Sequence, residues 1–313
     1  MSVFVLVAAL HGQQQEPLLL AAAQGDNALA IFKLYGNTLN PVAKVPVGNG
    51  VREICVSADG LRAYVSNDKD NTITVVDIDA AKALATIAPP GIKRLDGCAT
   101  SPDSKKLYVA ALELDEVVVI STETNQVLKH VKAGKEPRRV LFSPDARRIY
   151  VSSEVSDEIT ILNAATDTVV DKLKAGGHGP RTMIFLPDQK TMLNTNVDDD
   201  TVSFTKVATK DVYLTIGAGG SPQRLALSDD GKSAFVLSVL EEKISIIDMK
   251  GEHIRAKKFV PVGHQPWGMA MSKDKKLLFV GNSKDNTIVT YDAGSMAIVG
   301  KVTVNRPMGI AFR

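Results

Sequence analysis

Residues 137–174 read PRRVLFSPDARRIYVSSEVSDEITILNAATDTVVDKLK, and the order of apolar runs and turn residues within this stretch decides the fold. Pro137 to Phe142 predicts a strand, and Ser143-Pro144-Asp145-Ala146 predicts the turn that ends it. The proline presets φ at the second turn position, and the serine and aspartate side chains can bond the turn backbone. Arg148 to Ser152 (RIYVS) is rich in aromatic and β-branched residues and predicts a second strand. A polar connection at Glu154 to Glu158 leads to a third, Ile159 to Leu162. Thr168 to Lys174 supplies a fourth, outer one.

The unit recurs along the chain. Equivalent starts lie at Val51, Leu95, Pro137, Pro180, Pro222, Pro266 and Pro307, at spacings of 41 to 44 residues. That is the length of a four-stranded propeller blade. Seven starts predict an all-β, seven-bladed β-propeller with four antiparallel strands per blade. No amphipathic helical stretch separates the strands, a β-helix would need a shorter repeat, and a sandwich would not repeat seven times. The last unit holds one strand, Pro307 to Phe312, and the chain starts mid-unit with Leu18 to Leu20, Ala28 to Phe32 and Pro41 to Val47. The last blade is therefore expected to be closed by both termini, leaving no frayed sheet edge.

The propeller should span residues 17–313. Residues 1–16 stand apart, with an apolar run at Val3 to Leu10 and then a polar tract. They read as the remnant of a signal peptide whose basic start lies upstream, or as a disordered N-terminus. The apolar run is too short to span a bilayer.

The strands Ala63-Tyr-Val-Ser66, Leu107-Tyr-Val-Ala110 and Ile149-Tyr-Val-Ser152, the Ser-Pro-Asp turns and the Gly-x-x-Pro entries resemble the YVTN β-propeller repeat. The resemblance covers nearly the whole chain. Met192-Leu-Asn-Thr195 and Ala234-Phe-Val-Leu237 depart from it without disturbing the period. It implies the kind of propeller found in microbial surface-layer and secreted proteins, related to lactonases and to the haem-carrying domains of nitrite reductases. Periplasmic or extracellular placement follows as an expectation, with the cytoplasm as the alternative.

Composition narrows the partners. With 37 basic against 35 acidic side chains, the formal net charge of +2 gives no global reason to bind nucleic acid or an anionic membrane. Cys55 and Cys98 are the two cysteines. They are too few for a disulfide framework, lack a histidine at ligand spacing for zinc, and are expected to be buried, inert thiols.

The resemblance also implies that the first strand of each blade lines the central channel. Two residues before each start stand Asn49, Lys93, Lys135, His178, Gly220, His264 and Asn305; one residue after stand Arg52, Asp96, Arg138, Arg181, Gln223, Trp267 and Met308. Arg52, Lys93, Lys135, Arg138, His178 and Arg181 suit a carboxylate or phosphate, with Trp267 and His264 as an opposite wall. The alternative is a solvated channel rim. The acidic stretches at Asp68 to Asp70, Glu113 to Glu116, Glu154 to Asp157, Asp198 to Asp200 and Glu241-Glu242 read as solvated hairpin connections. Asp198 to Asp200 lacks the glycine and distal glutamate of a calcium loop.

No nucleophile elbow, phosphate loop or dinucleotide fingerprint occurs. The expectation is a monomeric, non-catalytic binding or scaffold protein with a protein or anionic small-molecule or polymer partner. It includes no catalytic residue, metal, cofactor or membrane span. The rival is an enzyme or redox accessory, either a lactonase-like hydrolase or a partner of a periplasmic quinoprotein or haem system.

Overall fold

Each unit folds into its own four-stranded antiparallel sheet, with the strands hydrogen-bonded in sequence order from the axis outward. The structure, a computed structural model, describes residues 15–250 and 253–313. The signal-or-disorder reading therefore falls largely on residues outside the described ones. Blades are numbered here from 1 at Val51 to 7 at Pro307. Blade 3, for example, consists of Pro137–Phe142, Arg148–Ser153, Glu158–Asn163 and Thr168–Lys174. Each inner strand packs against the inner strands of the blades before and after it, and Pro307–Phe312 meets both Pro266–Met271 and Val51–Val56. The ring is closed.

Blade 7 is built from both ends of the chain. Pro307–Phe312 pairs with Leu18–Ala23, which continues to Ala28–Tyr35 and Thr38–Pro46. The Leu18 and Arg313 backbones exchange hydrogen bonds of 3.3 and 2.8 Å.

Seven apolar clusters hold the ring, one in each gap between adjacent blades. The middle strands are buried on both faces, which is why they read as unbroken apolar runs; the outer strands alternate toward solvent. Aromatic pairs repeat across the gaps. Tyr108 of blade 2 meets Phe142 of blade 3 edge-on at 5.4 Å, and Tyr150 meets Phe185 likewise at 5.4 Å.

The cysteines overturn one expectation. Cys55 on the inner strand of blade 1 and Cys98 on that of blade 2 are half-buried and joined in a disulfide, with Cα atoms 5.9 Å apart. The ring brings two neighbouring inner strands side by side, so two cysteines 43 residues apart can meet.

The Ser-x-Asp turns form as read. Ser143 Oγ donates to Asp145 Oδ1 at 2.6 Å, and the same oxygen accepts the Arg147 N–H at 3.0 Å. The acidic stretches at the opposite face do more than solvate hairpins. Asn27, Asn71, Asp115, Asp157, Asp200, Glu242 and Asn286 all take left-handed backbone, with φ of 47 to 59°. Each side chain accepts, at 2.7 to 3.2 Å, the N–H of the residue preceding the next blade's inner strand. Those donors (Gly50, Arg94, Glu136, Gly179, Ser221, Gln265 and Arg306) are left-handed as well. Seven equivalent latches thus tie each hairpin to the next blade.

Candidate functional site

The chain enters every inner strand on the latch side of the ring, called here the entry face. A register irregularity follows at once. Pro137 pairs with Ser153 and Arg139 with Ser152, leaving Arg138 as an extra residue. Such a bulge suspends the alternation of side chains. Arg138 and Arg139 therefore both reach the channel instead of facing opposite ways. The same slip lies between Val51 and Ile54, which turns Arg52 and Glu53 inward, and between Pro222 and Arg224.

An ion-pair network fills the channel at this level. Glu53 Oε1 accepts from Arg139 Nη2 at 2.7 Å and from Arg224 Nη2 at 2.5 Å. Asp96 Oδ2 accepts from Arg138 Nη1 at 3.3 Å, while Arg52 Nε and Arg139 Nη1 stand 3.8 and 4.0 Å from Asp96 Oδ1. Glu154 links Arg138 and Arg181, accepting from Arg138 Nη2 at 2.9 Å and Arg181 Nε at 2.7 Å. Arg181 also donates to Gln223, and Arg224 Nε to the Trp267 carbonyl at 2.9 Å. The constriction lined by Arg52, Glu53, Asp96, Arg139, Arg181, Arg224, Trp267 and Met308 retains a cavity of only about 10 Å³, room for one water-sized body.

Electrostatics follow from burial. Desolvation, with Asp96 adding to it, raises the Glu53 carboxyl above its ordinary value against the pull of Arg139. Asp96 is desolvated too, but the guanidiniums of Arg139, Arg52, Arg181 and Arg138 outweigh that cost and hold it lower. Burial, helped by neighbouring Arg138, depresses Arg181 despite Asp96 and Glu154.

The eight residues singled out from sequence separate into two levels. Arg52, Arg181 and Trp267 line the constriction and are half-buried, and Arg138 is buried just outward of it, paired with Asp96 and Glu154. Lys93, Lys135, His178 and His264 are exposed on the entry face above it. The two histidines are clamped by carboxylates. His178 Nδ1 lies 2.6 Å from Asp157 of blade 3, and the His178 backbone N–H donates to Asp199 of blade 4 at 2.5 Å. His264 Nδ1 lies 2.8 Å from Asp285. Beside His178, a cleft of about 710 Å³ opens between blades 3 and 4, lined also by Asp157, Lys172, Lys174 and Asp199.

Glu53, Arg139 and Arg224 were not among those eight, and Glu154 was read only as part of a solvated hairpin connection. The available signal was the adjacency of charges at Arg52-Glu53 and Arg138-Arg139, which strict alternation on a strand would not bring to one face. Among the described residues no three His, Cys, Asp or Glu side chains gather as a metal-binding group, and no helix is long and apolar enough to cross a membrane.

Comparison with known proteins fits this architecture. Residues 141–306 match the YNCE-like β-propeller family model, and residues 97–175 match that of the Lactonase, 7-bladed β-propeller family. The seven-bladed β-propeller protein Rv1057 of Mycobacterium tuberculosis is 28% identical over 101 residues, 31% of this chain. The match spans only 25% of that relative's length. A provisionally assigned 6-phosphogluconolactonase from Bacteroides fragilis superposes with a TM-score of 0.82 at 17% identity, covering 96% of this chain and 99% of that one. The dihydro-heme d1 dehydrogenase NirN superposes with a TM-score of 0.72 at 16% identity, covering 94% and 74%. At such identities the two structures share the fold.

Proposed function

From the premise that the chain belongs to the YNCE-like β-propeller family, we propose that it is a non-catalytic recognition scaffold. It docks a protein or anionic ligand on its entry face. The carrying observation is the braced channel. The three carboxylates at its mouth, Glu53, Asp96 and Glu154, are each engaged by guanidinium groups, and the remaining space admits no substrate. A general acid or base needs reach to a reacting atom. Here those groups bind one another. Binding falls instead to the exposed level, where Lys93, Lys135 and His178 stand at the entries to blades 2, 3 and 4, His178 lines the cleft, and Val155 and Leu240 add exposed apolar surface.

The test is a pull-down from native extract with mass-spectrometric identification, followed by titration of captured ligands and a panel of small anions and acidic polymers. Binding should weaken with salt, because exposed charge is screened, and should fall in Lys135→Ala and His178→Ala. Unchanged binding in both variants would move the site elsewhere.

A second reading, a lactonase-like hydrolase, is favoured by the match of residues 97–175 to the lactonase family model. Hydrolysis of a lactone panel by the purified protein, absent in a heat-denatured control, would select it. The NirN-like fold keeps a haem-system partner as a variant of the same reading; haem titration followed by absorption tests that.

Export to the periplasm or beyond is part of the proposal, and the Cys55–Cys98 disulfide supports it, since such bonds persist in oxidising compartments. Fractionation of the native host decides it, and fully reduced cytosolic protein would contradict it.

A further inference from the structure

The constriction is not balanced in charge. Four guanidiniums, from Arg52, Arg139, Arg181 and Arg224, share its lining with two carboxylates, Glu53 and Asp96. Two positive charges are in excess there. Adding Arg138 and Glu154, the next pair outward, leaves that excess unchanged. Asp68 and Glu136 offset it only from the solvent side, where their side chains are 30% and 36% exposed.

Hydrogen-bond accounting points the same way. Among the described residues the Arg52 side chain makes no hydrogen bond, its nearest carboxylate oxygens lying 3.7 and 3.8 Å away. Arg139 places only Nη2 on an acceptor, Arg181 uses Nε and Nη1, and Arg224 uses Nε and Nη2. A guanidinium carries five N–H donors, so donors remain on all four residues that no protein atom accepts. None of these free nitrogens is sealed in packed protein, so they remain able to donate to a ligand in the cavity.

The cavity among these groups is about 10 Å³. That excludes a carboxylate, phosphate or sulfate, and a neutral water would leave the charge as it is. We propose that the constriction binds one monatomic anion, chloride in ordinary media, between Arg52, Arg139, Arg181 and Arg224. The ion is a structural ligand of the ring, separate from whatever docks on the exposed rim. Chloride is somewhat larger than water, and Arg52, half-buried and not hydrogen-bonded, is the side chain able to yield the difference. The depressed Arg181, desolvated beside another guanidinium, is what a bound anion would relieve.

The experiment compares thermal unfolding in sodium chloride and sodium gluconate at equal ionic strength. Above the dissociation constant, each tenfold rise in chloride should raise the midpoint by about 2 °C, as expected of a ligand that binds only the folded state of a domain this size. Bromide should substitute, and crystals grown in bromide should show one anomalous peak in the constriction. Glu53→Gln, which leaves a third charge unbalanced, should steepen the halide dependence; Arg52→Gln should flatten it. If either variant fails to fold, the wild-type bromide peak and halide dependence still decide. Equal midpoints in chloride and gluconate overturn the proposal, as does a bromide-free constriction holding only water.

Discussion

Glu53 of blade 1 and Arg224 of blade 5 are 171 residues apart in the chain, yet they are hydrogen-bonded across the channel at 2.5 Å. Arg139 of blade 3 donates to the same carboxylate oxygen at 2.7 Å. One side chain thus ties three alternate blades at the axis, where the apolar clusters, each confined to a gap between neighbours, do not reach. Adjacent-blade packing alone would let the ring breathe one gap at a time. The central ties couple gaps that share no apolar contact.

Glu53→Ala should therefore cost far more than a surface salt bridge. It strands the Arg139 and Arg224 guanidiniums in a desolvated channel, and breaking a buried pair from one side typically costs about 3–5 kcal/mol. Denaturant unfolding in chloride-free buffer measures this. A loss under about 1 kcal/mol would show that these pairs contribute no more than exposed ones.

The disulfide should stabilise through the unfolded chain. Closing a loop across a separation of 43 residues removes denatured-state entropy that, with native strain set against it, typically leaves about 2–4 kcal/mol. Cys55→Ser with Cys98→Ser, or reduction of the native protein, should lower the unfolding free energy by that amount. Native protein should label with no maleimide until reduced. Two labels on unreduced protein would remove the bond from the account.

The sequence carried the fold because a blade is a local object. Ser143 and Asp145, Tyr150, and the Pro137 entry all act within forty-odd residues, so period and turn chemistry sufficed. The closure of blade 7 was legible for the same reason, as one strand missing from Leu18 onward and one extra at Pro307. The channel network was only half legible. Arg138 and Arg181 could be placed at the mouth by counting, but their neutralisation by Glu154 depends on a hairpin folding back over the axis. The inward turn of Arg139 depends on a bulge that strict alternation does not contain. Cys55 and Cys98 were misread because they sit one place apart in their repeats, and only the stagger of adjacent inner strands brings them together.

Closure of the ring rests on a single strand. Deleting residues 307–313 removes Pro307–Phe312 from between blades 6 and 1, bares the edge of Leu18–Ala23, and takes Ile310 and Phe312 from the cluster between blades 6 and 7. Loss of cooperative melting, or aggregation on expression, is expected. A truncated chain that melts as the full one does would sink the closed ring.

The latches separate two effects at left-handed positions. Asn286→Ala deletes the acceptor for the Arg306 N–H, at 2.8 Å, and puts a less tolerant residue at φ 56°. A loss of about 1–3 kcal/mol should follow. Arg94→Gly keeps its backbone bond to Asn71 and relieves a side chain held at φ 52°. After the entropy glycine adds to the unfolded chain, it should stabilise by a few tenths to about 1 kcal/mol. Chemical denaturation of the two variants side by side checks the sign of each.

The clamped histidines give the ring a pH dependence of definite sign. His178 is raised from its ordinary 6.5 by its hydrogen bond to Asp157 and then by the charges of Asp157, Asp199 and Asp198. His264 is raised by its bond to Asp285, then by Asp285 and Glu242, with Lys284 opposing. A folded value above the unfolded one means the folded state binds the proton more tightly. Their contribution is therefore complete below the ordinary histidine value and is lost as pH rises through the folded values. Both rings are exposed, so the effect should be modest and should shrink in salt. Melting should thus fall between about pH 6 and about pH 8, a window in which carboxylates and lysines hold their charge. His178→Asn with His264→Asn should flatten that fall while leaving the melting temperature near pH 8 almost unchanged, since the neutral rings contribute little there. A slope identical in wild type and double variant would assign the pH dependence to other groups and leave these clamps without energetic weight.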